Sequence, residues 1–216
     1  MLIKKKKIIF FLPTFADGGA ESVIISLANQ FLKTGKDISF IVGNSKGKNK
    51  LRLNSRIKLV NFKKDRLLKC FTLLTNKLVK LNPTTVVTTL THSNLLFCFL
   101  KRLYNFDFQL IIRETNIDPL KYSSITERIK FIFLKYLKKL LYNSADYILA
   151  INSRSKKDLL ELGINKKKIK LFNNPSIKEN FIFNYKKKIK DQKIRNKKYL
   201  IYVGRMVPHK NLDFLI

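Results

Sequence analysis

Lys7-Ile-Ile-Phe-Phe-Leu-Pro-Thr-Phe-Ala-Asp-Gly-Gly-Ala-Glu21 is the stretch on which the fold turns. Ile8 to Leu12 form a solid apolar run of strand length. Pro13 to Gly19 read as a loop, and Ala20 to Lys33 as a helix with Val23, Ile24, Leu27 and Phe31 on one face and Gly35 as its stop. A buried strand, a glycine-containing loop and an amphipathic helix make the first unit of an open α/β sheet. Gly18 and Gly19 would let a ligand approach the backbone at a helix N-terminus, on the carboxyl edge where such sheets bind. The loop is not G-x-G-x-x-G and no Walker lysine follows, so a plain helix-entry turn and a ligand loop both stay open here.

The same alternation continues down the chain. Strands are expected at Ile38–Val42, Ile57–Val60, Thr85–Leu90, Gln109–Arg113, Tyr147–Ile151 and Ile169–Phe172. Between them the period changes to that of helices. Leu67, Phe71, Leu74, Leu78 and Leu81 mark one face, and further helices are expected at Asn94–Tyr104, Ile125–Tyr142 and Ser155–Leu162. Gly43–Arg56 reads as an exposed basic loop. Continuous apolar strands separated by helices imply a parallel sheet covered on both faces. The expected fold class is therefore α/β, a doubly wound, Rossmann-like sheet over residues 1–172.

Residues 173–198 break the pattern. They open Asn173-Asn174-Pro175 and continue lysine-rich with few core residues, which reads as an interdomain linker. A second unit, 199–216, then starts with an apolar run, Tyr199–Val203, a turn at Gly204, two cations, Arg205 and Lys210, and Asn211 before Leu212 as a helix cap. A strand, a glycine turn, cations and a helix N-terminus suit a diphosphate. This reads as the first βα unit of a truncated domain.

The formal charge is +31. Nucleic acid, an anionic membrane and a polyanionic substrate are the partners such a charge suggests. Only nine of the 45 basic residues are Arg, the better base reader and phosphate fork, and the lysines are scattered among Asn and Ile. A compositional bias accounts for much of that. No RRM, KH, helix-turn-helix or zinc signature is present, so no specific nucleic-acid partner is expected. Cys70 and Cys98 lack metal-ligand spacing and fall in apolar helical patterns, which reads as buried thiols in a reducing compartment. No metal and no cofactor is expected. Lys4–Lys7 before Ile8–Leu12 imitates the start of a signal peptide, but the run is short and broken by Pro13 and Asp17. No segment has a membrane-spanning length of uninterrupted apolar residues. The expected location is cytoplasmic, at most peripheral on the inner face of the membrane.

Taken as a set, these segments resemble the retaining GT-B glycosyltransferases of the family-4 type. The resemblance rests on Gly18-Gly19-Ala20-Glu21 after the first strand, on Gly204-Arg205 with Lys210-Asn211, and on Asn174-Pro175. Gln109-Leu-Ile-Ile-Arg-Glu-Thr-Asn116 is similar to a "SERN"-like segment, with Arg113 where Ser is usual, and Ala145–Ser153 to the strand before the interdomain helix. The resemblance implies an N-terminal acceptor domain plus the start of a nucleotide-sugar domain. It implies sugar transfer from a nucleotide-sugar to a lipid-linked or cell-surface glycan. Gly18, Gly19, Arg205 and Lys210 would then bind the donor diphosphate, and His92, Asn94, Glu114 and Asn116 would line the acceptor side. Each has a bland reading beside it: local capping for His92, an ion pair with Arg113 or another nearby cation for Glu114. No residue is assigned as catalytic. The acidic E-x7-E-type motif of the second domain has no counterpart here, so the isolated chain is expected to be inactive. A disrupted gene copy, or one subunit of a split enzyme, is the competing account.

The helix from Ile125 adds one more expectation. Ile125, Ile129, Ile132, Phe133, Tyr136, Leu137 and Leu140 read as its core stripe. Phe131 and Leu134 lie off that stripe among Arg128, Lys135, Lys138 and Lys139. Apolar residues on both sides of a basic helix suit an anionic membrane interface; a core helix with solvated lysines is the plainer reading.

Overall fold

The computed structural model describes residues 6–115 and 124–173, together with 198, 200–204, 206 and 212. Contacts divide the chain into two units, 1–118 with 122–174, and 119–121 with 175–216.

The first unit alternates strands and helices in the expected order: β1 (Lys7–Thr14), α1 (Gly19–Lys33), β2 (Asp37–Asn44), β3 (Lys58–Asn61), α2 (Phe71–Leu81), β4 (Thr85–Thr89), α3 (Thr91–Tyr104), β5 (Gln109–Glu114), α4 (Ile125–Leu141), β6 (Tyr147–Ala150), α5 (Ser153–Glu161) and β7 (Ile169–Leu171). All seven strands pair in parallel in the order β3-β2-β1-β4-β5-β6-β7. Parallel neighbours need crossovers, and the helices supply them on both faces. The period-2 alternation of β1 divides the core. Ile8, Phe10 and Leu12 pack with Ile24, Ile25 and Ala28 of α1, whereas Ile9 and Phe11 pack with α2, α3 and their neighbours on the other face.

The chain turns where its residues allow it. Asn82 and Asn105 close α2 and α3 in the left-handed region, at φ 40° and 50°. Asn tolerates that region better than other side-chain-bearing residues. Ser124 caps α4 by accepting from the Glu127 N–H at 3.2 Å, and Asn152 caps α5 by accepting from the Ser155 N–H at 2.8 Å. Cys70 and Cys98 are both buried. Burial raises both thiols, Cys98 to about 12, so they are protonated and unreactive.

Two helix faces depart from their expected orientation. In α1 the buried residues are Glu21, Ile24, Ile25 and Ala28, one step round from the expected stripe, and Phe31 is exposed. The larger correction is α4. Its expected core residues Ile125, Ile129, Ile132, Phe133, Tyr136 and Leu140 are exposed, while Lys138 and Leu141 are buried and Leu134 and Leu137 pack against the core. The helix carries apolar residues on two sides, and periodicity alone does not say which side meets the sheet.

In the second unit, residues 200–203, expected as a strand, are not in one, and Leu200, Ile201 and Val203 are exposed. Most of 173–198 and 199–216 lies outside the described residues.

Candidate functional site

The chain runs outward from β1 to β3 and then returns to β4 beside β1. The carboxyl ends of β1 and β4 therefore flank the topological switch point, where open α/β sheets leave a crevice. Two loops and three buried side-chain groups meet along this edge.

The loop after β1 is clamped by the segment after β2. The Phe15 N–H donates to Lys46 O at 2.9 Å, Asn49 N to Phe15 O at 3.3 Å, and Asn49 Nδ2 to Ala16 O at 2.5 Å. Lys48 N donates to Asp17 Oδ1 at 3.2 Å. Gly47 makes the close approach possible: its φ is +120°, and a Cβ there would collide with Phe15 O. Gly18 is the N-cap of α1, extended at φ −90° and ψ 152°. The Glu21 carboxylate in the first helical turn folds back against it and fills the place where a Gly18 Cβ would stand. A carboxylate there complements the positive end of the helix dipole. Gly19 differs: a Cβ at that position would meet nothing within 4 Å.

Across the switch point, Leu90 joins β4 to α3 with a φ of +72°, a strained conformation for a side-chain-bearing residue. His92 is exposed at the start of α3, and Thr91, Ser93 and Asn94 are buried. Asn94 Nδ2 donates to Arg113 O at 3.0 Å.

Arg113 and Glu114 end β5 and are both buried. As consecutive strand residues they point to opposite faces. Arg113 shares its face with Ile111, on the α1 side. Its Nη1 donates to Thr89 Oγ1 at 3.3 Å. Burial lowers its pKa to about 10, against the pull of the Glu114 and Glu21 carboxylates. Glu114 shares its face with Ile112, towards α3 and α4. It accepts from Tyr142 Oη at 2.5 Å and from Thr91 Oγ1 at 3.3 Å, and pairs with Lys138 Nζ at 3.6 Å. Burial, reinforced by the Glu114 charge, pushes the Tyr142 phenol well above its ordinary range, so it serves only as a neutral donor. Two carboxylates, Glu21 and Glu114, thus stand near two cations, Arg113 and Lys138, under one edge. A balanced set of this kind tolerates burial where a lone charge would not.

Gly18, Gly19, His92, Asn94 and Glu114 all fall on this edge, although more than 70 residues separate the two glycines from the rest in the sequence. Only His92 among the last three reaches solvent; Asn94 and Glu114 lie beneath the surface, committed to internal partners. Asn116, Arg205 and Lys210 lie outside the described residues. Lys138 and Tyr142 were not legible as site residues. Their only signal is the spacing Leu134, Lys138, Leu141, Tyr142, a second face of α4 that includes a lysine. Among the described residues no three His, Cys, Asp or Glu side chains stand together as metal ligands would.

No family model and no curated protein matches this chain. Solved structures do resemble it. HepE of Anabaena, solved with UDP and glucose, matches at a TM-score of 0.57 and 16% identity, over 78% of this chain and 44% of its own. The lipopolysaccharide outer core galactosyltransferase WaaB matches at 0.54 and 21%, over 80% of this chain and 47% of its own. The UDP-GlcNAc 2-epimerase of Methanocaldococcus jannaschii matches at 0.53 and 17%, over 78% and 45%. The chain thus spans less than half the length of each. At these identities the likeness is one of fold, and the fold is a doubly wound, Rossmann-like parallel sheet.

Proposed function

We propose that this chain is the acceptor-side domain of a retaining, family-4-type glycosyltransferase that moves a sugar from a nucleotide-sugar to a lipid-linked or cell-surface glycan. The observation that carries the reading is Gly19. It opens the 15-residue helix α1 at the switch point, beside a clamped loop, with open space where a side chain would stand. The first-turn N–H groups of a helix have no intrahelical acceptors, and they suit a diphosphate or the oxygens of a reacting sugar. Solved structures of the same fold hold UDP and glucose, or UDP-glucose, which supports a nucleotide-sugar as donor here.

The site residues then take distinct roles. Gly18 and Gly19 let the donor approach. His92, exposed at the start of α3 across the switch point, contacts the acceptor. Asn94 and Glu114 hold the β4–α3 and β5 ends in place from below. Asn116 belongs to the acceptor side, and Arg205 and Lys210 to the diphosphate, by resemblance. Side-chain cations rather than a metal ion meet the leaving group's charge in this reading.

Hydrogen exchange tests it. The full chain is incubated with a panel of nucleotide-sugars and lipid-linked saccharides. Amides at residues 18–22 or 91–94 are expected to slow with at least one of them. Gly19→Leu fills the open space without a backbone penalty, so it should abolish that protection while leaving Tm unchanged. Protection that no compound produces, or that survives Gly19→Leu, refutes the reading.

A further inference from the structure

Helix α4 has two apolar faces, and only one is used by the core. At about 100° per residue, Phe131, Leu134, Leu137, Lys138 and Leu141 fall within one arc of about 120°. These are its buried and half-buried residues. Ile125, Ile129, Ile132, Phe133, Tyr136 and Leu140 occupy the opposite arc, about 100° wide. They are 47–78% exposed. Six large apolar side chains on one exposed helix face form a contiguous patch of the kind that marks an interaction surface.

The charges beside that patch identify its partner. Arg128, Lys135 and Lys139 form a row along one flank, at spacings of seven and four residues. The one acid of α4, Glu127, projects on the other side of the helix, away from the patch. Lys135 and Lys139 also line a shallow groove with Ile132, Tyr136, Glu161 and Leu162. Glu161 is the acid of that groove, and Lys157 lies 3.9 Å from it. A second copy of the chain would bring two cationic rows together on molecules that each carry +31. An anionic bilayer satisfies both features at once. The apolar stripe enters the boundary between headgroups and acyl chains, and the cationic row meets the lipid phosphates.

We propose that the outward face of α4 is a membrane-docking surface for anionic lipid, with Ile129, Ile132, Phe133 and Tyr136 as its inserted residues and Arg128, Lys135 and Lys139 as its phosphate contacts. Any consequence for a lipid-linked acceptor rests on the transferase reading; the docking itself does not.

Co-sedimentation of the full chain with substrate-free vesicles separates the two. Phosphatidylcholine vesicles with about 30% phosphatidylglycerol are compared with pure phosphatidylcholine, for the wild type and three variants. Arg128→Gln/Lys135→Gln/Lys139→Gln should weaken partitioning by on the order of a hundredfold, at about fivefold per cation. Phe133→Gln/Tyr136→Gln should weaken it by about tenfold or more. Lys33→Gln/Lys36→Gln/Lys58→Gln, which removes the same charge from elsewhere, should change it by less than about threefold. The chain contains no Trp, so Phe133→Trp gives an unambiguous reporter. Its emission should shift to the blue with anionic vesicles and be quenched by brominated lipid. Equal loss from both cation variants, a stripe variant that binds like wild type, equal binding to neutral vesicles, or an indole emission from the Phe133→Trp variant that vesicles leave unmoved would each overturn the proposal.

Discussion

Replacing Lys138 with Met would strand a carboxylate in a place with almost no water. Lys138 and Glu114 are 8% and 3% exposed at their side chains, with Nζ 3.6 Å from Oε1. At an effective dielectric constant of about 20, that separation is worth roughly 4–5 kcal/mol of attraction. Desolvating the two ions costs several kcal/mol, so the pair as a whole adds little net stability. Breaking it is another matter. Lys138→Met takes that cation away from the buried Glu114 carboxyl group, which the Tyr142 and Thr91 hydroxyls also contact. Glu114→Gln leaves a buried ammonium facing an amide. Each single variant should lose about 3 kcal/mol. The double variant Glu114→Gln/Lys138→Met removes both charges of the pair together and should lose only about 1–2 kcal/mol, giving a coupling of about 4–5 kcal/mol. For a domain of this size each single loss corresponds to roughly 6–12 °C in Tm. Urea titration of the four proteins measures the cycle. Single losses that add to within about 0.5 kcal/mol would mean that the two charges do not meet in a desolvated setting, and the reasoning would fail.

Gly47→Ala should destabilise by about 2 kcal/mol or more, because its φ is +120° and the new Cβ would collide with Phe15 O, whereas Gly19→Ala meets open space and should stay within about 0.5 kcal/mol; thermal melts compare the two. Alkali should weaken the fold from about pH 9 upward. Cys98 rises from its ordinary 9.0 to about 12 and Tyr142 from 10.0 to well above it, so the unfolded chain loses these protons first and stability falls as pH rises. The Cys98 contribution is up to about 1.4 kcal/mol per pH unit, and Cys98→Ala should flatten the slope between about pH 9 and 10, read from urea midpoints. Arg113, lowered to about 10, acts in the opposite sense, and only above that value. Amides of Leu200–Val203 should exchange at least ~1,000-fold faster than those of Ile8–Phe11, since the former are exposed and outside any strand and the latter lie in the centre of the sheet. Comparable protection in both segments would show that 200–203 are held in a stable structure of their own.

The order of elements was legible because each strand and helix carries its own period. Ile8–Leu12 are apolar without interruption because β1 is covered on both faces, and the alternation of such runs with helical stripes implied a parallel, doubly wound sheet. The glycine loop could be placed at a carboxyl edge for the same reason: it directly follows a strand. These are local properties, and local properties are written in consecutive residues.

What the chain could not declare by itself concerns relations across the sheet. Helix α4 offers two apolar arcs, and the sequence holds no information about which one the core takes. The tertiary structure decided it, burying Lys138 with Leu141 and turning Ile129, Phe133 and Tyr136 outward. The partner of Glu114 is a similar case. Arg113 is its neighbour in sequence, but strand geometry sends the two to opposite faces, and a cation 3.6 Å from the carboxylate, Lys138, comes from the next helix along the chain. Periodicity specifies that a face is apolar or a residue charged. Which face meets which, and which charges share a dry space, is set only when distant segments pack, because the free energy of burying a charge depends on every element around it.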